Sequence, residues 1–171
     1  MNTPKVTQQI VEWLKDYLVQ TGIKGMVVGI SGGIDSAVVS TLCAETGKPV
    51  LCLEMSIHQA ANQVSRGRNH IVFLKNKYPN VSSLEVDLTP VFDTFVAQVP
   101  PAENNALALA NTRARLRMTT LYYFAGLQGY MVVGTGNKIE DFGVGFFTKY
   151  GDGGVDVSPC LLYTSPSPRD S

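Results

Sequence analysis

Residues 25–36 read GMVVGISGGIDS, and this stretch decides how the chain folds. Its first half, Gly25 to Ile30, is a short apolar run bounded by glycines, which is typical of a strand buried on both faces of a parallel sheet. Its second half turns at two glycines and leads into an apolar helical segment that ends at Thr46, just before Gly47. A buried strand, a tight turn and a helix predict the first unit of a parallel α/β sheet.

The alternation of helix and strand continues on both sides of this stretch. Helices are predicted over residues 6–20, 36–46, 59–77, 90–99 and 104–127, and strands over residues 25–30, 50–55, 84–88 and 130–134. Parallel strands joined through helices form right-handed crossovers that cover both faces of a sheet. The pattern therefore predicts an α/β fold, a doubly wound parallel sheet with helices on both faces, of the Rossmann-like type.

The composition excludes several classes of protein. The 171 residues are 44% apolar and 16% charged, close to the globular average. Fourteen basic and fourteen acidic residues give zero net charge, which argues against a nucleic-acid or membrane-surface binder. The sequence has no apolar run of the roughly 20 residues that a membrane span needs, and its N-terminus has no apolar signal core. We expect a cytoplasmic protein whose three cysteines are reduced thiols.

The C-terminal residues differ in character from the rest of the chain. Cys160 to Asp170 reads CLLYTSPSPRD, which resembles the in-frame translation of a transposase-type sequencing adapter. A natural Ser/Pro-rich tail is the alternative. We expect residues 160–171 to be non-native, and residues 1–159 to be one α/β domain that is incomplete at its C-terminus.

The turn after the first predicted strand has the chemistry of a phosphate loop. Its glycines let successive N–H groups point into one concavity, and the following helix adds its unsatisfied N-terminal N–H groups. The hydroxyls of Ser31 and Ser36 can donate to phosphate oxygens, and Asp35 can hold a divalent cation. The loop lacks the lysine of a G-x-x-x-x-G-K-[ST] motif and the third glycine of a G-x-G-x-x-G motif. The alternative is a tight turn in which Asp35 or Ser36 caps the helix.

The string SGGIDS resembles the signature of the ATP pyrophosphatases, the PP-loop enzymes that split ATP between the α- and β-phosphates. Three further segments narrow the resemblance: residues 111–122 (NTRARLRMTTLY), 134–141 (GTGNKIED) and 146–156 (FFTKYGDGGVD). With His58-Gln59 and residues 63–66, they resemble the ammonia-dependent NAD synthetases. That resemblance implies an adenine nucleotide alpha hydrolase-like fold and ATP-dependent amidation of deamido-NAD by ammonia, which gives NAD, AMP and pyrophosphate through an acyl-adenylate.

The resemblance also implies the roles of individual residues. The residues implied to bind ATP are Gly29, Ile30, Ser31, Gly32, Gly33, Ile34, Asp35, Ser36 and Thr135. Ser31, Asp35 and Ser36 are the implied catalytic residues of this loop. The residues implied to contact deamido-NAD are Arg115, Lys149 and Asp156. Asp35 and Glu140 are implied to bind Mg²⁺, although Lys149 lies nine positions after Glu140 here and eight positions after it in some family members.

Other functions remain open at this point. The chain could be another adenylating PP-loop enzyme that acts on GMP or tRNA precursors, although zero net charge counts against tRNA. It could also be a non-catalytic nucleotide-binding module. A glutamine-dependent synthetase would need an amidohydrolase domain upstream, and Met1 lies only thirty residues before the loop. The family resemblance further implies a homodimer, and we expect the 171-residue chain by itself to have little synthetase activity.

Several conspicuous side chains have simpler interpretations. Arg113 and Arg117 lie four residues apart on one predicted helix, a spacing typical of a solvated face. Cys43 and Cys52 lie in an apolar helix and an apolar strand, where a core position is favoured over a nucleophile. His58 and His70 have no partners at the spacing of a zinc site, so we do not expect zinc.

Overall fold

The computed structural model describes residues 3–136 and 148–161, in which helices and strands alternate as predicted. The elements are α1 Thr3–Thr21, β1 Gly25–Gly29, α2 Ile34–Glu45, β2 Val50–Glu54, α3 Ala61–Lys77, β3 Val81–Glu85, α4 Thr89–Gln98, α5 Ala106–Gln128 and β4 Tyr130–Val133. A 3₁₀ turn, Pro159–Leu161, follows the last described loop. Most boundaries lie within two residues of the predicted ones.

The strands form one parallel sheet in the order β3-β2-β1-β4. In the centre of the sheet, Met26 of β1 is aligned with Val50 of β2 on one side and with Met131 of β4 on the other. From β1 the chain moves outward through β2 to β3, and then returns across the sheet to place β4 on the other side of β1. The direction of winding therefore reverses at the boundary between β1 and β4, and the predicted doubly wound parallel sheet is confirmed.

Each face of the sheet carries its own apolar core. On one face, α1, α2 and α3 pack against the sheet through side chains that include Leu14, Val39 and Leu74, all of them fully buried. On the other face, Phe92 of α4 and Leu121 of α5 belong to a second buried cluster. Helices on both faces explain why the two central strands, β1 and β2, and the edge strand β4 are mostly apolar rather than alternating.

The third strand lies earlier in the chain than predicted, over Val81–Glu85 rather than residues 84–88. The prediction was wrong because the apolar alternation falls after the strand. Val86 and Leu88 follow β3 and pack into the core on the α5 side. The strand itself begins at buried Val81 and continues through two serines, which give it no alternating pattern. Its position is set by pairing with β2, from Val50–Val81 to Glu54–Glu85.

The predicted core positions of two cysteines are confirmed. Cys43 of α2 and Cys52 of β2 are fully buried in the same apolar cluster. Burial raises the pKa of Cys43 far above its usual range and raises the pKa of Cys52 to about 12. Both thiols are therefore protonated and act as small apolar side chains.

The last described segment returns to the sheet. Val157 forms an isolated parallel bridge with Val133, Pro159 is buried, and Cys160 packs against the core on the α1 side. The predicted domain boundary after Pro159 stays a prediction. In the part of the chain that the structure describes, no helix is long and apolar enough to cross a membrane.

We expect Leu14→Ala to lower the free energy of unfolding by about 2–5 kcal/mol, because it leaves a cavity between α1 and the sheet. Val19→Ala on the same helix is the matched control, since Val19 is 69% exposed and Leu14 is 0% exposed. Its effect should stay within about 0.5 kcal/mol. Urea denaturation measures both changes, and equal effects would contradict the position of α1.

Candidate active site

The glycine turn after β1 is held closed by its own two serines. The Ser31 N–H donates to Ser36 Oγ at 3.2 Å, and the two hydroxyl oxygens also lie 3.2 Å apart. The Gly33 N–H donates to Ser31 Oγ, and the Ser36 hydroxyl donates to the Gly33 carbonyl. Ser36 is buried, whereas Ser31 is exposed. Ser36 therefore stabilises the shape of the loop from the buried side, and Ser31 lies on the exposed side of the loop.

Helix α3 packs directly onto this loop. Gly32 has a left-handed backbone with φ of +82°, and an added Cβ would lie 2.3 Å from the Gln63 carbonyl oxygen. The Arg66 Nε donates to the Gly32 carbonyl at 3.2 Å. Gly67 is buried, and a Cβ there would meet a carboxylate oxygen of Glu54 at 2.9 Å. Glycine at position 32 lets two backbone segments approach more closely than any side chain would permit, and glycine at position 67 leaves room for the side chain of Glu54.

Helix α2 begins at Ile34, with Gly33 as its N-terminal cap residue and no side-chain cap bond. The N–H groups of the first turn therefore lie at the loop without a capping side chain, and the helix dipole places partial positive charge there. Asp35, in the first turn, is the acidic residue nearest this end, and it lies close enough to Cys160 to raise the pKa of that thiol, after burial as the larger cause. Gly33, and neither Asp35 nor Ser36, therefore occupies the N-terminal cap position of α2.

A cavity of about 690 Å³ opens at the carboxyl ends of β1 and β4. This volume is within the range of about 300–1,000 Å³ that is usual for small-molecule sites. It lies where the direction of winding reverses, which is the position at which open α/β sheets bind ligands. Gly29, Ile30 and Ser31 line it from β1, and Thr135 lines it after β4. The cavity therefore brings Thr135 together with three of the predicted loop residues, whereas residues 32–36 do not line it.

The other walls come from α5 and from the segment after residue 147. Side chains with apolar contact surfaces dominate them: Met55, Leu107, Ala110, Ala114, Met118, Leu121, Val133 and Val155. Asn111 and Thr148 also line the cavity, and the Thr148 hydroxyl donates to Asn111 Oδ1 at 3.0 Å. A largely apolar cavity with several polar groups in its walls is typical of a small-molecule site.

Two arginines of this wall were missed by the sequence analysis. Arg113 and Arg117 both line the cavity, so the prediction of a solvated face was wrong. The Arg113 guanidinium lies 5.4 Å from the centre of the Phe92 ring. The Arg117 Nε donates to the Met55 carbonyl at 3.0 Å. The only sequence signal for these two residues was their four-residue spacing. It places both side chains on one face of the helix but does not tell whether that face meets solvent or a cavity.

The predicted substrate contacts divide into two groups. The Arg115 Nε donates to the Lys149 carbonyl at 3.0 Å, so these two residues are neighbours, although neither lines the cavity. Asp156 instead braces the sheet: one of its oxygens accepts from the Val132 N–H at 2.8 Å, and the other accepts from the Tyr122 hydroxyl at 3.1 Å. The roles of all three toward a substrate stay predictions.

Of the two predicted metal ligands, Asp35 and Glu140, the structure describes only Asp35. Asp35 lies beside the loop, whereas Glu140 falls outside the described residues, as do Phe146 and Phe147 of the glycine-rich segment. Among residues 3–136 and 148–161, no group of three or more His, Cys, Asp or Glu side chains could hold a metal ion. One carboxylate at a phosphate loop is nevertheless a usual partner for Mg²⁺, which takes its remaining ligands from substrate phosphates and water.

Comparison with known proteins gives a consistent result. A family model described as NAD synthase matches residues 6–164. The chain is 37% identical over 166 residues to the NH(3)-dependent NAD(+) synthetase of Carboxydothermus hydrogenoformans, and the match covers 93% of this chain and 65% of that protein. The chain thus spans slightly less than two thirds of the relative's length.

Two solved structures of synthetases have a fold similar to that of this chain. The NMN synthetase of Francisella tularensis superposes with a TM-score of 0.85 at 31% identity, covering 94% of this chain and 65% of that one. The NH3-dependent NAD synthetase of Campylobacter jejuni, in complex with the nitrate ion, superposes with a TM-score of 0.83 at 31% identity and covers 95% and 69% of the two chains.

We expect Gly32→Ala to destabilise the fold strongly, because the new Cβ would overlap a backbone carbonyl of α3 in addition to straining a left-handed residue. Gly47→Ala separates the two causes. Gly47 has φ of +71° with no atom within 4 Å of an added Cβ, so this variant should lose only about 1–2 kcal/mol. Urea denaturation compares them, and equal losses would show that the contact with α3 is unimportant.

We expect the stabilising effect of Tyr122 to depend on pH. Burial, and next the charge and hydrogen bond of Asp156, raise the pKa of Tyr122 to about 12. The unfolded pKa is about 10, so the contribution is complete below pH 10 and is lost as the pH rises toward 12. The difference in unfolding free energy between the wild type and Tyr122→Phe should shrink over that range. A constant difference would contradict the contact.

Proposed function

Because this chain belongs to the NAD synthase family, we propose that the complete protein catalyses the ATP-dependent amidation of deamido-NAD by ammonia, which gives NAD, AMP and pyrophosphate. The chain spans 65% of its relative's length, so the reaction of the whole protein and its substrates are both part of this proposal. The observation that carries it is that the glycine turn after β1 meets a largely apolar cavity of about 690 Å³ at the carboxyl ends of β1 and β4.

The first step activates the substrate carboxylate, which does not react with ammonia at neutral pH. A carboxylate oxygen attacks the α-phosphorus of ATP, the bond from that phosphorus to the bridging oxygen breaks, and pyrophosphate leaves. The product is an acyl-adenylate. The loop from Gly29 to Ser36 supports this step, because its N–H groups and the N-terminus of α2 stabilise charge that builds up on phosphate oxygens.

Within the loop the two serines would have different tasks. Ser31 lines the cavity, so its hydroxyl is available to a phosphate oxygen. Ser36 is 2% exposed and donates to the Gly33 carbonyl, which supports a role in holding the loop in shape. Thr135 also lines the cavity, at the end of β4, and we propose it as a further ATP contact.

Asp35 is the carboxylate that would bind Mg²⁺, and Glu140 would be the second ligand. A carboxylate in the first turn of α2 fits this hard cation, because the ATP phosphates would complete its oxygen ligands. Bound Mg²⁺ would offset the negative charge of the leaving pyrophosphate. Asp35 itself orients the phosphates relative to the loop.

In the second step ammonia attacks the acyl carbon, loses a proton, and displaces AMP. The acyl-adenylate is also sensitive to water, so the site must exclude water until ammonia arrives. The apolar walls from Met118, Leu121 and Val155 support this requirement. We propose that Arg115, Lys149 and Asp156 contact deamido-NAD; the neighbouring positions of Arg115 and Lys149 support this.

A second candidate substrate follows from the Francisella tularensis neighbour, which is called an NMN synthetase. The corresponding substrate here would be nicotinate mononucleotide, amidated by the same two steps. The relative at 37% identity is an NAD synthetase, which favours deamido-NAD. The two substrates, offered together at equal concentration, separate these functions by which amide accumulates.

We further propose that the protein is a cytoplasmic homodimer that does not bind nucleic acid. Two exposed apolar side chains one helical turn apart on α5 support a dimer: Tyr123 is 61% exposed and Leu127 63%. Zero net charge supports the absence of a nucleic-acid partner. The molecular mass in solution, measured by light scattering, tests the dimer.

The assay combines the full-length protein with deamido-NAD, ATP, Mg²⁺ and ammonium chloride, and separates the nucleotides by chromatography. We expect NAD and AMP in equal amounts, together with pyrophosphate. ADP as the product, or AMP release without dependence on deamido-NAD, would rule out the proposed reaction. The 171-residue chain is assayed in parallel, and we expect little turnover from it.

We expect Asp35→Asn to lower the rate of pyrophosphate release at least about 100-fold, because it removes a charge that orients the phosphates in the transition state. Asp16→Asn makes the same chemical change at an exposed position of α1 and should leave the rate unchanged. Circular dichroism checks that both variants fold. An active Asp35→Asn variant would remove this residue from the mechanism.

A further inference from the structure

Arg117 is a partly buried cation whose Nε is hydrogen-bonded within the protein. Its two terminal nitrogens are available to a ligand. Its Nε donates to the carbonyl of Met55, the residue that follows β2, at 3.0 Å. This bond ties the middle of α5 to the carboxyl edge of the sheet. A guanidinium carries five N–H donors, so four remain on its two terminal nitrogens. The Arg117 residue is part of the cavity lining.

The charge of Arg117 has no carboxylate partner among residues 3–136 and 148–161. The ion pairs there join His58 to Asp93, Arg68 to Glu85, and Lys77 to Glu45. Burial lowers the pKa of Arg117, and the positive charge of Arg113, one helical turn away, lowers it further. A cation that is partly removed from water and lies beside a like charge is costly unless an anion joins it.

The lining of the cavity indicates the kind of ligand that would carry this anion. The walls are mostly apolar, and the cavity reaches Ser31 of the phosphate loop at the same time as Arg117. A ligand that enters it therefore meets an apolar surface, a phosphate-binding turn and a guanidinium fork. Such a fork binds carboxylate and phosphate groups through two parallel hydrogen bonds.

We propose that Arg117 binds an anionic group of the ligand that occupies this cavity, through its two terminal nitrogens, while its Nε remains bonded to Met55. This inference rests on the proposed function for the identity of the ligand. Under that function the group is either the carboxylate of deamido-NAD or the phosphate chain of ATP. Both sources share the same chemistry, and they can be distinguished by binding.

The experiment uses two pairs of ligands that differ in the anion alone. NAD replaces the carboxylate of deamido-NAD with an amide, and adenosine lacks the phosphates of ATP. Calorimetry on the full chain gives the affinity for each ligand in the wild type, Arg117→Gln and Arg117→Lys. Arg68→Gln is the matched control, because Arg68 is exposed and bonded to Glu85 outside the cavity wall.

We expect Arg117→Gln to weaken binding of one ligand, either deamido-NAD or ATP, about ten- to hundredfold. Binding of the counterpart that lacks the tested anion, NAD or adenosine, should be nearly unchanged. A loss confined to deamido-NAD identifies the carboxylate, and a loss confined to ATP identifies the phosphates. Arg117→Lys, which keeps the charge but not the fork, should show a smaller loss and provides the test if Arg117→Gln does not fold. Arg68→Gln should bind every ligand as the wild type does.

Unchanged affinity ratios within both pairs would overturn the inference, because a purely structural role would affect both members equally. A wild type that binds deamido-NAD and ATP but forms no NAD would contradict the proposed function without contradicting the role of Arg117 in binding. Absence of binding of all four ligands by the wild type would overturn both.

Discussion

The contact between the phosphate loop and α3 is the constraint on which the site depends. Gly32 adopts a left-handed backbone and lies so close to the Gln63 carbonyl that no side chain can be added. Arg66 donates to the Gly32 carbonyl from the same helix, and Gly67 permits the helix to approach. These contacts hold the turn from one side, and the two loop serines hold it from the other. The loop is therefore shaped by the protein before any ligand binds.

The order of the strands gives this loop its neighbours. Because the direction of winding reverses between β1 and β4, the two strand ends open side by side without a helix crossing between them. Helix α5 then covers the opening from the second face of the sheet and supplies Arg113, Arg117 and the apolar wall. A phosphate loop, a cavity and a partly buried cation thus come together from segments almost ninety residues apart in the sequence.

The sequence predicted local structure well where the pattern was unambiguous. The apolar runs at β1, β2 and β4 and the glycine turn each carry their own signal, and the structure confirms their positions. The edge strand β3 was misplaced, because its serines carry no alternation and its position is imposed by pairing with β2. Arg113 and Arg117 were assigned to solvent for a related reason. Helical spacing shows that two side chains share a face, but the packing of α5 decides what that face meets.

By itself, the sequence determined the parallel α/β architecture, the glycine turn between β1 and α2, and the resemblance to the NAD synthetases, because each depends on neighbouring residues and their spacing. Only the tertiary structure decided that Asp156 bonds to Val132 and Tyr122, and that Arg117 reaches Met55 and lines the cavity. These contacts join residues 24 to 62 positions apart. They depend on how helices and strands pack, and no local pattern encodes that packing.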